Sequence, residues 1–478
     1  MNAHPSPKSV AAAALAVVLP AIFLAGCATG PDYKKPEVTP PAQVRFQLPG
    51  AEAASIADTP WWGVFNDEAL HSLITQTLAA NLDIQVAVAR IEQARAMVGV
   101  AQSQSKPQVG YQAGAGGQNA FVPGRDSAET VDYAYVGGLL NATWEMDVWG
   151  RIRHSTDAAK ARLLAQEDVR RGVLLTLVSD TAAGYFRLLE LDRELVIAED
   201  SVRVYKQTLD LFSLRFEAGR DSQLPVERAR ANYDASAARI SDLKRAIGQQ
   251  ENALSVLAGG YPKAIERGRG LTEQSMPPSA VGSTTDLLQR RPDILAAEQT
   301  MIGANAEVGE AIANYYPKIG LSALLGGQGV SIGSWSGFGL WSLGLSAAGP
   351  LYTGGRLQSI TKERQAYWDE TVAQYKKTIL AAFRETSDAL IAQQTLVSRR
   401  SALERQVVDL RRSSDLALTR YDAGRASYFE VLEAQQQLFP AEDALAQTQR
   451  DQLVAVVSLY KALGGGWQEP PAAPTAQP

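Results

Sequence analysis

The sequence predicts a mainly α-helical fold with a small β part, in which long coiled-coil helical hairpins are joined to short alternating strands. Three observations carry this. Apolar residues between Leu188 and Leu257 fall at steps of three and four with a single interruption. The same series returns 205 residues later, and the segments ahead of each series alternate apolar with small or polar residues.

Leu188, Leu191, Leu195, Ala198, Val202, Tyr205, Leu209, Phe212 and Phe216 form a heptad seam, the spacing that winds a helix around a partner to bury one narrow stripe. Arg215-Phe216-Glu217-Ala218-Gly219-Arg220 interrupts it, with Gly219 placed as a left-handed C-cap. Val226, Ala229, Tyr233, Ser236, Ile240, Leu243, Ile247, Gln250, Leu254 and Leu257 resume the spacing on the way back. In the second copy Leu396, Leu403, Val407, Leu410, Ala417 and Tyr421 lead into Arg420-Tyr421-Asp422-Ala423-Gly424-Arg425. Val431, Ala434, Leu438, Ala441 and Leu445 lead out. The chain holds two copies of one hairpin.

Composition narrows the function. A net charge of -5 over 478 residues offers no basic face, so no nucleic-acid partner is expected. Only His71 and His154 lie beyond the first 30 residues and there is one cysteine, which leaves histidine catalysis, metal clusters and an internal disulfide framework poorly supplied. There is no P-loop and no His-Glu-x-x-His, and the carboxylates are scattered along helices with no pair singled out. No cofactor and no enzyme activity are expected. The glycine clusters at 114–117 and 326–329 suit strand hairpins instead.

Residues 1–26 read as an export signal, with Lys8 as the positive end and Ala11 to Leu24 as an apolar stretch too short for a comfortable transmembrane helix. Leu24-Ala25-Gly26-Cys27 resembles the bacterial lipobox, and that resemblance implies that Cys27 is lipidated and becomes the first mature residue. Ala28, in place of an Asp, implies sorting to the outer membrane, where acyl chains hold by burying methylenes. Residues 27–66 form a lipidated strap, Pro-rich and aperiodic over 31–60. Trp61-Trp62 reads as a buried anchor ahead of a helix at 67–80, with a binding platform as the alternative.

The duplication divides the remainder. The first repeat covers 67–260, with helices at 67–105, a strand hairpin at 108–146 and a helical hairpin at 151–257. A linker follows at 261–290. The second repeat covers 291–465, with a helix at 291–314, a strand hairpin at 318–346 and a helical hairpin at 355–462, and 466–478 is a flexible tail. Asp83-Ile84, Ala94, Ala96, Val98, Gly99, Ala101 and Pro107 recur 210 positions on; past the strands the shift is 205, matching Gly150-Arg151 to Gly355-Arg356 and Gly259-Gly260 to Gly464-Gly465.

Val109, Tyr111, Ala113 and Ala115, then Ile319, Leu321, Ala323 and Leu325, then Trp341, Leu343 and Leu345 each alternate with small or polar residues. Such alternation marks outer-membrane barrel strands, and a half-buried soluble sheet would alternate too. The stretch 132–146 alternates poorly and its facing stays open. A helix from Arg151 to Phe216 would run roughly 100 Å, and helices at 83–105 and 223–257 can lie end to end along it. Four strands cannot close a barrel and eight leave an interior that side chains fill, so a conducting pore asks for at least three chains.

Four motifs occur in order beside this duplication: Gly30-Pro31-Asp32-Tyr33-Lys34-Lys35-Pro36; Trp61-Trp62 with Phe65 and Asp67; Trp144-Glu145-Met146-Asp147-Val148-Trp149-Gly150-Arg151; and Arg290-Arg291-Pro292-Asp293-Ile294 with Ala297-Glu298. With them the chain from Cys27 onward resembles the outer-membrane-factor family, the TolC-like efflux channel subunits, in particular the NodT/OprM lipoprotein branch. The resemblance implies a homotrimer whose copies share a twelve-stranded outer-membrane β-barrel and a twelve-helix periplasmic α-barrel. It also implies docking, through a periplasmic adaptor, on an inner-membrane pump of the resistance-nodulation-division type. The expected function is a passive conduit for small molecules, drugs and toxic compounds among them; a channel for type I protein secretion or metal efflux is the alternative.

The same resemblance assigns residues. Arg215, Gly219, Arg420 and Gly424 at the hairpin tips meet the adaptor, the glycines being helix caps in either case. A periplasmic gate follows the second tip. Family members often carry Leu-Asp-Ala-Gln-Arg there, and here Leu432-Glu433-Ala434-Gln435-Gln436 puts Glu433 in place of the acid and Gln436 in place of the Arg. The gate set is Tyr421, Asp422, Phe429, Glu433 and Gln436. Glu433 reads as a member of an acid ring or as an ordinary solvated residue, and Phe429 with Tyr421 as a hydrophobic constriction that replaces the missing salt link.

Overall fold

The computed structural model describes residues 29–47, 55–121, 130–277, 280–281, 284–332 and 334–465. The expected signal, Cys27 and the tail 466–478 lie outside them. In chain order the helices are α1 (Trp61–Val64), α2 (Glu68–Ala80), α3 (Leu82–Ser103), α4 (Arg151–Glu217), α5 (Gln223–Leu257), α6 (Thr284–Arg290), α7 (Pro292–Ala313), α8 (Arg356–Asp422) and α9 (Tyr428–Ala462). The strands are β1 (Gln108–Phe121), β2 (Thr130–Met146), β3 (Lys318–Ile332) and β4 (Ser334–Ala348), and short 3-10 turns stand at Ile56–Asp58 and Leu271–Glu273. The fold is mainly helical with one small sheet, as expected.

The duplication is carried into the backbone residue for residue. α4 and α8 are each 67 residues long and α5 and α9 each 35, and every start and end is offset by 205. Element ends differ from the sequence reading by one or two residues. The helix expected to reach Ser105 ends at Ser103, where Gln104 and Ser105 turn back onto Ala101 and Gln102 ahead of Pro107. The linker 261–290 holds the 3-10 turn and α6, short elements without a periodic signature.

The chain divides into two compact units. The first gathers residues 1–37, 90–167 and 296–376, and the second 38–89, 168–295 and 377–478. In the first, the sheet runs β1-β2-β3-β4, antiparallel throughout, with β1 and β4 as its edges. Gln108 pairs with Thr143 in one hairpin and Lys318 with Ala348 in the other, so the hairpin register repeats with the same offsets of 210 and 205. Register also settles the facing of β2. Tyr111 lies opposite Leu140, Leu140 opposite Leu325, and Leu325 opposite Trp341. This apolar row crosses all four strands, with exposures of 81, 53, 61 and 79%. Val109 and Leu343 extend it on the next row, and Val136 lies on the same face of β2. The opposite face carries Gln108, Thr143, Ser322 and Gly344 in one row and Gly110, Asn141, Leu324 and Ser342 in the next. Glycines and the Tyr135 and Leu139 side chains on that second face are what blurred the β2 pattern in the sequence.

The Trp144–Arg151 motif closes the turn from β2 into α4. Arg151 forks onto Glu145 at 2.9 and 3.0 Å, and Asp147 accepts the N–H groups of Ile152 and Arg153, both at 2.9 Å, satisfying donors at the start of α4. Trp149 stacks on Tyr316 at 4.9 Å and donates to the Pro317 carbonyl. The strap is pinned beside this turn. Thr29 donates through N and Oγ1 to the Trp149 carbonyl, His154 Nε2 bonds the Thr29 carbonyl, and Lys35 pairs with Glu298 at 2.7 Å.

The second unit holds the main core. Tyr185, Phe186, Leu188 and Leu189 of α4 meet Leu453, Val456, Leu459 and Tyr460 of α9, and Val44, Ile56, Phe65, Leu70 and Leu73 cover them. Asp67 caps α2 and, buried to 2%, also accepts from Tyr185, the Arg269 backbone and Gln274, tying the linker to the core. Within the hairpins the expected seams are packed: Leu191, Leu195 and Ala198 against Ile240 and Leu243, and Val407 and Leu410 against Leu438, Ala441 and Leu445. The short helices do meet end to end in this unit. Asn81, at the start of α3, donates to the carbonyl of Leu257, where α5 ends. Arg291, at the start of α7, donates to the carbonyl of Ala462, where α9 ends.

Candidate functional site

Each helical hairpin turns in the same way. Arg220 N–H bonds the Arg215 carbonyl and Gly219 N–H the Phe216 carbonyl; Arg425 and Gly424 repeat both bonds onto Arg420 and Tyr421. This is the Schellman closure, and it puts Gly219 at φ 67° and Gly424 at φ 69°, where a side chain is strained. A Cβ built on either glycine meets nothing within 4 Å, so the tips are open to approach from outside the chain.

The two tip arginines have different surroundings. Arg215 lies 4.6 Å over the Tyr421 ring and hydrogen-bonds its hydroxyl. Tyr421 is 8% exposed, packed beside Phe212, which in turn meets the Tyr428 ring edge-on at 4.1 Å. Val226, Ala229, Ala417 and Val431 complete this apolar knot between the hairpins. Burial pushes the Tyr421 hydroxyl above its ordinary range, while Arg215 opposes the shift. Arg420 stays exposed, 3.8 Å from Glu430. Asp422 is exposed at the end of α8.

Past the second tip, Phe429, Glu433 and Gln436 stand on one exposed stripe of α9, the opposite side from Val431, Ala434 and Leu438. The expected gate residues are therefore split. These three share an outward face, whereas the Tyr421 ring is committed to the knot between the hairpins. Gln436 reaches Asn232 of α5 at 3.4 Å. One member of the stripe escaped the sequence reading: Pro440, inside α9, cannot donate to the Gln436 carbonyl, so the helix is weakened there. A proline within a heptad run was the available signal.

Farther along the hairpins a charged cluster joins α4, α5 and α9. Arg239 bridges Glu194 at 3.5 Å and Asp443 at 2.6 Å, Gln447 donates to Glu194 at 3.0 Å, and Glu190, fully buried, pairs with Arg187 at 2.5 Å and Arg450 at 3.0 Å. Burial raises the Glu190 carboxyl and pushes Asp443 up to about 6, against the pull of Arg239. Among the described residues no group of three or more His, Cys, Asp or Glu is arranged to hold a metal ion, and no helix is long and apolar enough to cross a membrane. The arrangement offers open hairpin tips, an exposed stripe on α9 and an apolar sheet face.

Known proteins share this layout. The model of a family described as outer membrane efflux protein matches residues 73–260 and 284–465. The cation efflux system protein CusC of Escherichia coli O6:H1 is 30% identical over 455 residues, covering 94% of this chain and 98% of that protein. The toluene efflux pump outer membrane protein TtgI of Pseudomonas putida is 33% identical over 463 residues, covering 93% and 97%. Among solved structures, the outer-membrane channel OprN superposes with a TM-score of 0.83 at 28% identity, over 93% of this chain and all of that one.

Proposed function

The chain belongs to the outer membrane efflux protein family as an outer-membrane channel component of an efflux system, and from that premise we propose a homotrimeric, lipid-anchored, non-enzymatic conduit. The observation that carries this reading is the sheet: an apolar row exposed across four strands, an opposite face where polar and small residues such as Gln108, Thr143, Ser322 and Ser342 stand among apolar ones, and two edges left open. An open edge invites another strand, and an apolar face this wide is stable in lipid. Three copies give twelve strands around a lumen wide enough to pass solutes.

In this reading Arg215, Gly219, Arg420 and Gly424 present the tips to a periplasmic adaptor, which links the conduit to an inner-membrane pump of the resistance-nodulation-division type. Phe429, Glu433 and Gln436 line the narrowest part on the axis, with Asp422 beside them and Tyr421 bracing the hairpin behind. Like charges from three copies of Glu433 crowd there and recruit cations. Acyl chains on Cys27 hold the strap in the membrane, supported by the way Thr29, two residues on, is fixed to Trp149 and His154. The cargo follows from the pump, since the conduit offers few fixed groups for selection. CusC is a cation efflux protein and TtgI a toluene efflux protein, and the susceptibility profile of a deletion strain decides between metal and organic cargo.

Conductance of the purified protein in planar bilayers tests the conduit: small currents are expected, rising in Glu433→Ala and Phe429→Ala, and no current under any condition removes the reading. Docking is tested separately. Gly219→Leu with Gly424→Leu leaves trimers intact and abolishes drug export, and retained resistance retires the tip assignment.

A further inference from the structure

The side of the sheet that turns away from the apolar row changes character along the strands. Near the turns from α3 and α7 its rows are Gln108, Thr143, Ser322 and Gly344, then Glu145, Gly320 and Ser346. Lys318 opens β3 and alternates in phase with Gly320 and Ser322, so it stands on this side as well. Lys106, in the turn between α3 and β1, lines the same open recess as Lys318, a space of about 540 Å3 shared with Gln104, Glu145 and Arg151.

Other cations of this unit have found carboxylates. Lys35 takes Glu298, Arg153 takes Asp147, and Arg162 and Arg364 share Glu307. In the recess the one lining carboxylate, Glu145, is held by the fork of Arg151, which also reaches Gln104 at 3.2 Å. Lys106 and Lys318 are both exposed, and among the described residues neither has a carboxylate partner. The neutral donors nearby are turned onto the backbone: Gln108 donates to the Ser103 and Lys106 carbonyls, Ser322 to Gly344 and Ser346 to Gly320. With Arg151 and Glu145 cancelling, the recess faces solvent with two uncompensated ammonium groups. Each repeat supplies one of them from a different slot, since Gln108 stands where the second repeat has Lys318 and Tyr316 where the first has Lys106.

We propose that Lys106 and Lys318 form an anion-binding site at the foot of the sheet, taking a carboxylate, phosphate or sulfonate group of a passing solute. The inference rests on the conduit reading above, in which this side of the sheet faces the lumen. Two lysines from each copy then ring the passage where helices give way to strands, the arrangement that favours anions in a pore. One surface lysine holds an anion weakly, but two in a single concavity add, and the protein wall focuses their field. Lysine offers a point charge rather than a planar fork, so the site reads the charge of the group and is indifferent to its shape.

Reversal potentials in planar bilayers under a KCl gradient test it on the full-length protein. Lys106→Gln with Lys318→Gln raises the K+/Cl− permeability ratio about threefold at ~0.1 M salt, and the difference shrinks at ~1 M, where a charge reaches only about 3 Å. Arginine at both positions keeps the parent ratio. Inorganic pyrophosphate lowers the current of the parent and has little effect on the glutamine variant. An unchanged ratio at low salt, or equal block of the two proteins, with trimeric native mass and currents retained, overturns the anion site while the conduit stands. No current from the unmodified protein under any condition removes both.

Discussion

Phe212→Ala removes the ring at the centre of the knot that joins the hairpin tips. Phe212 is 1% exposed, with the Tyr428 ring 4.1 Å away and the Tyr421 ring 6.0 Å away. Truncating a buried Phe costs about 3 to 5 kcal/mol, of which the two aromatic contacts supply roughly 1 to 3. At the lower figure the tip opens roughly a hundredfold more often, since each 1.4 kcal/mol is about a factor of ten. The core around Tyr185 and Leu459 lies in a separate cluster and keeps its own stability, so the loss is local. Amide exchange reads it directly: protection at 209–216 and 417–431 falls by about two orders of magnitude, while protection at 185–191 and 453–460 is unchanged. Tyr421→Phe is the graded comparison. It keeps the ring under Arg215 and removes only the hydroxyl bond, worth about 1 kcal/mol, and so lowers tip protection several-fold. Undiminished protection at the tip in Phe212→Ala would refute the claim that this knot holds the hairpins together.

Three further outcomes follow from the same geometry. Burial lifts the Asp443 carboxyl from 3.8 to about 6, so its contribution to stability is full below 3.8 and is lost as pH rises through 6; Asp443→Asn abolishes that slope and raises stability at pH 7 by ~3 kcal/mol, and parallel denaturation curves for the two proteins between pH 4 and 8 would contradict it. Leu140→Arg, in the middle of the exposed apolar row, opposes membrane insertion by about 2 to 4 kcal/mol, whereas Asn141→Arg on the other face is accepted; recovery of each variant in outer-membrane fractions separates them. Arg291→Met strips the partner from the Ala462 carbonyl, Asp293 and Glu385 together and lowers the unfolding midpoint more than Asn81→Ala, which loses the bond to Leu257 and the acceptor of the Asp83 N–H.

Much of this architecture was written in one-dimensional pattern. Long seams such as Leu191, Ala198 and Leu243 are legible because a heptad needs no distant partner to be recognised, and the repeat tells where each helix must end. The tips were legible because Gly219 and Gly424 occupy the same slot in two copies of one motif. β2 was not, because its facing is set by neighbours: Leu140 belongs to the apolar row by lying opposite Tyr111 and Leu325, and register is a pairing property. α6 was hidden in a linker too short for a period. The surroundings of the residues expected at the gate were half legible. A heptad places Tyr421 on the seam, but only the packed structure shows that the ring is spent between the hairpins, leaving Phe429, Glu433 and Gln436 on the open stripe.

Duplication also explains where the asymmetry has to lie. Two identical repeats in three copies would build a ring of six equal hairpins, which has no reason to narrow at one set of them. The narrowing must then come from positions at which the repeats differ. At the tips the first hairpin contributes Phe212 where the second has Ala417, and the second contributes Tyr428 where the first has Gln223. Both large rings therefore meet in the seam inside a chain, where Ala417 packs beside them. The two hairpin tips of a chain are thereby joined, and Pro440 loosens α9 behind Phe429, Glu433 and Gln436, where the first hairpin has Ala235. In the proposed trimer, a dilation that parts the two hairpins of one chain at their tips has to break the Phe212–Tyr428 contact.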